Sequence, residues 1–206
     1  LYINGESWGL YPNVQQLNKN FYEVWFQSND GVNWRADRPD NAAPGPGGGG
    51  GGWGDGTAAL NYLGTDTAKY QTYYTLKSSD TDDPWTKLVN ACNALNNTSS
   101  AQMTTVVPNY IDVDRALRFL ASEIAFGDDD SYVHKGKMDY YVYYEPETGR
   151  ITPIEYDGNS VLLSSTSSWT PFYNQTNANY PLMNKLLSVP VYRQRYLAHL
   201  RTLLKD

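Results

Sequence analysis

Apolar residues recur along this chain at two spacings, and the switches between them mark out the elements. Residues 1–11 alternate apolar and polar positions about Asn4-Gly5. Both of those residues tolerate positive φ, so the segment reads as a tight β-hairpin. The spacing then becomes helical. Val14, Leu17, Phe21 and Trp25 fall on one face, with Asn13 placed to cap the helix. Asp30-Gly31 predicts a turn, and Val32–Ala36 a short strand.

Residues 37–56 break the pattern. Pro39, Pro44 and Pro46 precede a glycine run from Gly47 to Gly52. Ordering so much glycine loses more entropy than its few contacts return, which predicts a flexible insertion. A phosphate-cradling loop is excluded, because no Gly-Lys-Ser/Thr follows and no strand-to-helix context surrounds the glycines.

Beyond the insertion, Pro84 preceded by Asp82-Asp83 starts a helix over residues 84–95, ended by a run of Asn, Thr and Ser. Asp112 caps a second helix. Its apolar stripe is Val113, Leu117, Leu120 and Ile124, and Gly127 stops it. Residues 138–144 and 150–156 are rich in Tyr, Val and Ile and flank the turn sequence Glu145-Pro146-Glu147-Thr148-Gly149, so they predict a second hairpin. Residues 181–204 predict one or two helices interrupted near Pro190. Helices outnumber strands and the strands read as local pairs, which defines an α+β fold and not a doubly wound sheet.

Composition narrows the chemistry. At 206 residues the chain suits one domain with a sizeable core. Its 18 tyrosines and 6 tryptophans bury large rings that keep a polar tip. The net charge of −6 and the lack of a basic stripe exclude nucleic acid as a partner. A single cysteine, Cys92, excludes an internal disulfide; with only His134 and His199 beside it, a Cys/His zinc site is excluded too. Any metal must be held by oxygen, which favours magnesium, manganese or calcium. No run of 18 apolar residues could span a membrane. The chain opens on Leu1-Tyr2-Ile3, already in strand pattern, and is expected to be part of a longer protein.

Polar density peaks around the second hairpin. Asp128-Asp129-Asp130 follow the helix stop, Asp139 opens the outgoing strand, and Glu155-Tyr156-Asp157-Gly158-Asn159 close the returning one. A hairpin brings Asp139 and Asp157 to one end, and Asp130 lies on the loop feeding that end. Carboxylates held about 4 Å apart repel by roughly 4 kcal/mol at an effective dielectric near 20, so such a group needs a cation or a shared proton. Asp128 and Asp129 read as loop charges or a cap, and Asp-Gly-Asn is also ordinary turn chemistry. Arg35 reads as a solvated surface arginine. His134 has no serine or cysteine nucleophile motif beside it, which argues against a hydrolase triad.

The segment Leu1-Tyr2-Ile3-Asn4-Gly5-Glu6-Ser7-Trp8-Gly9-Leu10-Tyr11 resembles the YxNGEYWGLY signature of the CotH kinase family. Asp130-Ser131-Tyr132, then Asp139-Tyr140-Tyr141-Val142-Tyr143-Tyr144, then Pro153-Ile154-Glu155-Tyr156-Asp157 resemble that family's D-x-Y, N-Y-Y-L-Y and P-W-D-L-D core. The glycine insertion at 37–56 and the ending about Pro181-Leu182-Met183 and Tyr192-Arg193 are similar as well, so the likeness covers residues 1–206. It implies a highly reduced, atypical protein-kinase-like fold, mainly the helical catalytic lobe, with the strands that cover the nucleotide lying upstream of this chain. It implies an atypical protein kinase that uses ATP and Mg2+ (or Mn2+) to phosphorylate Ser or Thr of a secreted, cell-surface or spore-coat protein. Asp130 would match the catalytic aspartate that takes the acceptor's proton, and Asp157 the metal-binding aspartate. Asp139 stands where asparagine is frequent, and Asn159 where a second aspartate is common; both are possible supporting ligands for metal and nucleotide. The loop from Asp130 to Asp139 is longer than usual, and its Lys135 and Lys137 would contact phosphate or balance the aspartates. Two other readings keep the fold without the chemistry: a coat or surface scaffold, and a carbohydrate-binding module built on Trp8, Trp34, Trp53, Trp85 and Trp169.

Overall fold

The Asn4-Gly5 turn folds as its chemistry requires. Asn4 and Gly5 both take positive φ, 53° and 84°, between the short strands β1 (Tyr2–Ile3) and β2 (Glu6–Ser7). This computed structural model describes residues 2–9, 14–37, 58–134 and 137–205. Apart from Asp37, the predicted insertion at 37–56 lies outside the described residues, as do Asn13 and Trp53.

The first helix starts later than its apolar spacing predicts. α1 spans Lys19–Trp25 and is capped by Asn18, whose Oδ1 accepts from the N–H groups of Asn20 (3.1 Å) and Phe21 (3.3 Å). Val14 and Leu17 precede it in coil. Within α1 only Tyr22 is buried, stacked on Tyr143 with ring centroids 3.9 Å apart.

The strands are more than local pairs. β3 (Val32–Ala36), β4 (Tyr74–Ser79), β5 (Tyr140–Glu145) and β6 (Arg150–Glu155) form one antiparallel sheet in the order β4-β3-β5-β6. The predicted β5–β6 hairpin is present, with Tyr140 opposite Glu155 and Val142 opposite Pro153. It is joined by β3, a strand far away in the chain, with Trp34 opposite Val142. β4 carried no strand signal in the sequence: it is an edge strand and only Tyr74 of its six residues is fully buried. Alternation along the sheet sends Val32, Trp34, Ala36, Tyr140, Val142 and Ile151 into the core. Tyr143, on the other face, lies under α1. Gly31 lets β3 approach β5 closely, since a Cβ there would lie 2.0 Å from the Tyr144 carbonyl oxygen.

Helices cover the core face. α2 (Thr67–Gln71) and α4 (Met103–Val106) are short. α3 (Pro84–Asn97) begins on Pro84, and Asp83 Oδ1 accepts from the Thr86 N–H at 3.2 Å. α5 (Val113–Phe126) is capped by Asp112 through the Arg115 N–H. α6 (Pro181–Leu186) and α7 (Pro190–Leu203) are separate, each starting on a proline. Pro190 therefore opens a helix; lacking an N–H, proline fits the first turn, where that N–H would have no helical partner. α5 packs against α7 through the cluster that includes Leu117, Leu120, Tyr196 and Leu200.

The tyrosines earn their number inside the core. Tyr74 Oη donates to the Ala58 carbonyl and accepts from the Leu60 N–H (2.9 Å); Tyr140 Oη reaches the same Ala58 carbonyl. Tyr132 Oη bridges the Ala59 carbonyl (3.1 Å) and the Leu182 N–H (2.8 Å). Each ring buries area while its hydroxyl satisfies loop backbone that would otherwise lose hydrogen bonds to water.

α5 ends where Gly127 turns left-handed, φ 58°, with a Cβ there meeting Thr166 Oγ1 at 2.5 Å. Gly127→Ala is expected to lower the unfolding free energy by about 1–3 kcal/mol, from the left-handed backbone and the crowding together. Urea denaturation should show a lower midpoint at an unchanged slope.

Candidate active site

The chain after α5 and the chain after β6 are stitched to each other. Leu162 N–H donates to the Phe126 carbonyl (2.7 Å) and Asp129 N–H to the Ser160 carbonyl (3.1 Å). Asp128 N–H reaches back to the Glu123 carbonyl at 2.9 Å, and Asp130 N–H donates to Asp128 Oδ1 at 3.1 Å. The acidic triplet therefore hangs between the end of α5 and the turn Gly158–Ser160.

The two ends of the β5–β6 hairpin meet there. Asp139 precedes β5 with φ 55°, and Asp157 follows β6 with φ 56°. Left-handed backbone at a non-glycine residue costs of order 1 kcal/mol or more and persists where the surroundings enforce it. For Asp139 the enforcing contact is its N–H, which donates to the Ala36 carbonyl at 3.0 Å.

Three carboxylates converge behind this end. Glu123, Asp128 and Glu155 each offer one oxygen, all within 4.8 Å of one another. Glu123 is wholly buried on α5; it accepts from Ser131 Oγ (2.5 Å) and the Val133 N–H (3.3 Å). Glu155 Oε2 accepts from Ser122 Oγ at 3.2 Å. Asp128 is 1% exposed, and its carboxyl hydrogen-bonds with that of Glu155.

Protonation follows from this crowding. Burial, and next the charge of Glu155, push the Glu123 carboxyl far above the carboxylate range. Glu155 is pushed up to about 7, first by burial of its carboxyl, with the Asp128 charge adding to the rise. The residue as a whole is exposed, but its carboxyl end packs among Ser122, Glu123 and Asp128. Burial, and then the charges of Asp157 and Asp129, raise Asp128 too. Fully ionised neighbours at these separations would repel by roughly 3–4 kcal/mol per pair. Protons or a cation must therefore share the space. The donor set is all oxygen, converging within 4.8 Å, which fits a hard divalent ion.

The residues singled out in the sequence divide between two places. Asp157 is exposed and close enough to Asp128 to raise it. Asp130 is half-buried on the adjoining loop. Asp139 sits at the hairpin mouth bound to Arg35 Nη2 at 2.6 Å, while Arg35 Nε reaches Asp37 Oδ1 at 3.0 Å. The Arg35 guanidinium also lies 5.3 Å from the Tyr156 ring centroid. Arg35 is thus a bridge between two aspartates and not a solvated surface arginine. Asn159 is exposed, and its Oδ1 accepts from Ser160 Oγ at 2.9 Å.

Asp128 and Asp129 are buried, against the expectation of loop charges. Asp129 Oδ1 lies 3.5 Å from His134 Nε2, and His134 Nδ1 lies 2.8 Å from Tyr173 Oη. Lys137 is fully buried, with its ammonium 4.6 Å from the Tyr180 ring centroid; Lys135 lies outside the described residues. Among the described tryptophans of that set, Trp34 is core, Trp85 packs near it, and Trp169 stacks on Tyr173.

Glu123 and Glu155 were missed. Counted in register from Pro153, the first acid of the P-W-D-L-D pattern falls on Glu155 and the second on Asp157, so the signal for Glu155 was present, and Asn159, expected at the second aspartate, lies two residues past it. For Glu123 the signal was its place three residues after Leu120, an acid on the apolar stripe of α5.

A helix, an acidic loop, a hairpin and an acidic turn, closing on one group of carboxylates, make this an α+β domain of the reduced kinase-like kind. The chain matches the CotH kinase protein family over residues 1–206 and belongs to it. No curated protein matches the chain. Among the described residues no helix is long and apolar enough to cross a membrane.

Glu123 is the tie between α5 and the loop, so Glu123→Ala should leave the Ser131 hydroxyl and the Val133 N–H without their acceptor. Stability should drop by about 2–4 kcal/mol. Native-state hydrogen exchange should show lost protection at Val133 first.

Proposed function

We propose that this protein transfers the γ-phosphoryl group of ATP to a Ser or Thr hydroxyl of a protein acceptor, in a reaction dependent on Mg2+ or Mn2+. The observation that carries this reading is the carboxylate group Glu123, Asp128 and Glu155 at the end of the hairpin, with the Asp157 charge close enough to raise Asp128, in a chain of the CotH kinase family. Asp157, with Asp128 and Glu155, would hold the divalent ion. Bound there, the ion supplies positive charge against the phosphate oxygens of the nucleotide.

The remaining work falls to the chain. Asp130 accepts the proton as the acceptor oxygen bonds to the γ-phosphorus and the bond to the bridging oxygen of ADP breaks. Asp139 is engaged by Arg35, which leaves it a positioning role at the hairpin mouth and makes it a poor metal ligand. Asn159, on the turn after Asp157, is the remaining supporting oxygen donor.

Asp157→Ala in the full-length protein should lower acceptor phosphorylation by two orders of magnitude or more, about 3 kcal/mol of transition-state stabilisation. Mn2+ affinity, read by electron paramagnetic resonance, should fall with it. Unchanged phosphorylation would remove the metal role. Asp130→Asn should lower kcat by about 10²–10⁴ while Mn2+ binding persists, which separates the base from the ligands.

A further inference from the structure

Beside the carboxylates runs a groove of about 490 Å3, walled by α1, α5, β6 and the end of α7. Its wall is mainly apolar: Trp25 and Phe26, Phe119, Ile154 and Leu203. Trp25 is 58% exposed and Leu203 41%, so large rings and alkyl surface stay open to solvent. Such surface rimmed by charge marks an interaction site more often than chance.

The rim has a definite sign. Arg115 and Arg118 line it from α5. The Arg115 guanidinium packs 4.2 Å from the Phe26 ring centroid and donates to the Trp25 carbonyl at 2.9 Å, so its position is fixed. Arg118 is held by Asp114, Nε to Oδ2 at 3.0 Å, and Asp114 Oδ1 also meets His199 Nε2 at 2.9 Å. The groove lining itself contains one carboxylate, Glu155, at the end shared with Glu123 and Asp128. Arg115 and Arg118, with Arg195 also 3.9 Å from Asp114, outnumber the carboxylates Asp114 and Glu155 here, which makes this groove complementary to an acidic occupant.

Its position decides what that occupant is. Glu155 lines the groove and belongs to the carboxylate cluster, and Ser122, also in the lining, donates to it. An extended polypeptide advances about 3.3 Å per residue, so a side chain seated in the groove places a hydroxyl two to four residues away near the carboxylates. The segment cannot be held by lengthening the sheet along β6. Ile151 is already bridged to Ile111, and Pro153 has no N–H to offer. Side chains must carry the recognition.

We propose that this groove docks the acceptor polypeptide through an aromatic or large aliphatic side chain flanked by acidic residues. The word acceptor rests on the phosphoryl-transfer reading; the docking chemistry does not. The test uses a fluorescein-labelled peptide carrying two glutamates, a Phe-Leu pair and a serine about three residues further on. Control peptides replace the glutamates by lysines or the Phe-Leu pair by alanines. Anisotropy titrations should show at least tenfold weaker binding of both controls. Trp25→Ala and Arg118→Glu, each with an unfolding midpoint near that of the wild type, should weaken the acidic peptide at least tenfold; Leu203→Glu serves where either variant fails to fold. Equal binding of the three peptides, or unaltered binding by the folded variants, overturns the groove. If the acidic peptide binds selectively but is never phosphorylated, the phosphoryl-transfer reading fails and the docking site stands. If it is phosphorylated with the same KM by Trp25→Ala, the docking site fails and the transfer reading stands.

Discussion

One buried carboxyl organises the loop on which the acidic residues sit. Glu123 has no contact with water, yet it lies one turn from the end of α5 and holds both Ser131 Oγ and the Val133 N–H. Taking a carboxyl out of water is unfavourable by several kcal/mol unless it is neutralised and hydrogen-bonded. Here both occur: protonation is favoured, and two donors are fixed in place. The result is a loop whose first residue, Asp128, is forced inward against Glu155 instead of turning out to solvent. A neutral apolar residue at 123 would pack more cheaply, but it would leave the path from Gly127 to His134 without its anchor.

The second layer of support is the tyrosine set. Tyr74, Tyr132 and Tyr140 converge on the backbone of Ala58, Ala59 and Leu60 from three different elements. Their hydroxyls bring the chain following the glycine-rich stretch into the core, behind the sheet that carries the hairpin. Because Tyr140 begins β5, the same ring that satisfies Ala58 fixes the strand immediately after Asp139. The hairpin mouth is thus held from the inside by hydroxyls and from the outside by the Arg35 bridge.

Much of this was legible in the sequence. The helix bounds at Pro84, Asp112, Gly127 and Pro190 carry local chemistry, namely caps and stops, and the structure uses each of them. The β5–β6 hairpin followed from its turn and alternation, and with it the common end of Asp139 and Asp157. What was not legible depended on partners distant in the chain. β4 buries one residue fully and offers no hydrophobic run. Arg35 looks like any surface arginine until β3 pairs with β5 and lays it against Asp139. Asp128 and Asp129 look like solvated charges until the turn at Ser160 folds over them. α1 was placed too early because apolar spacing alone cannot choose between Asn13 and Asn18 as the cap, whereas hydrogen bonding can.

The insertion of β3 between β4 and β5 has a consequence for how the chain is made. During synthesis Val32–Ala36 emerges early and can pair with β4 on one side, but its other side has no mate until the ribosome has passed Tyr140. In that interval Val32, Trp34 and Ala36 present an apolar, unpaired strand edge to the cell. Such edges invite association with other chains. Covering this nascent edge until β5 arrives is therefore a condition of reaching the native sheet.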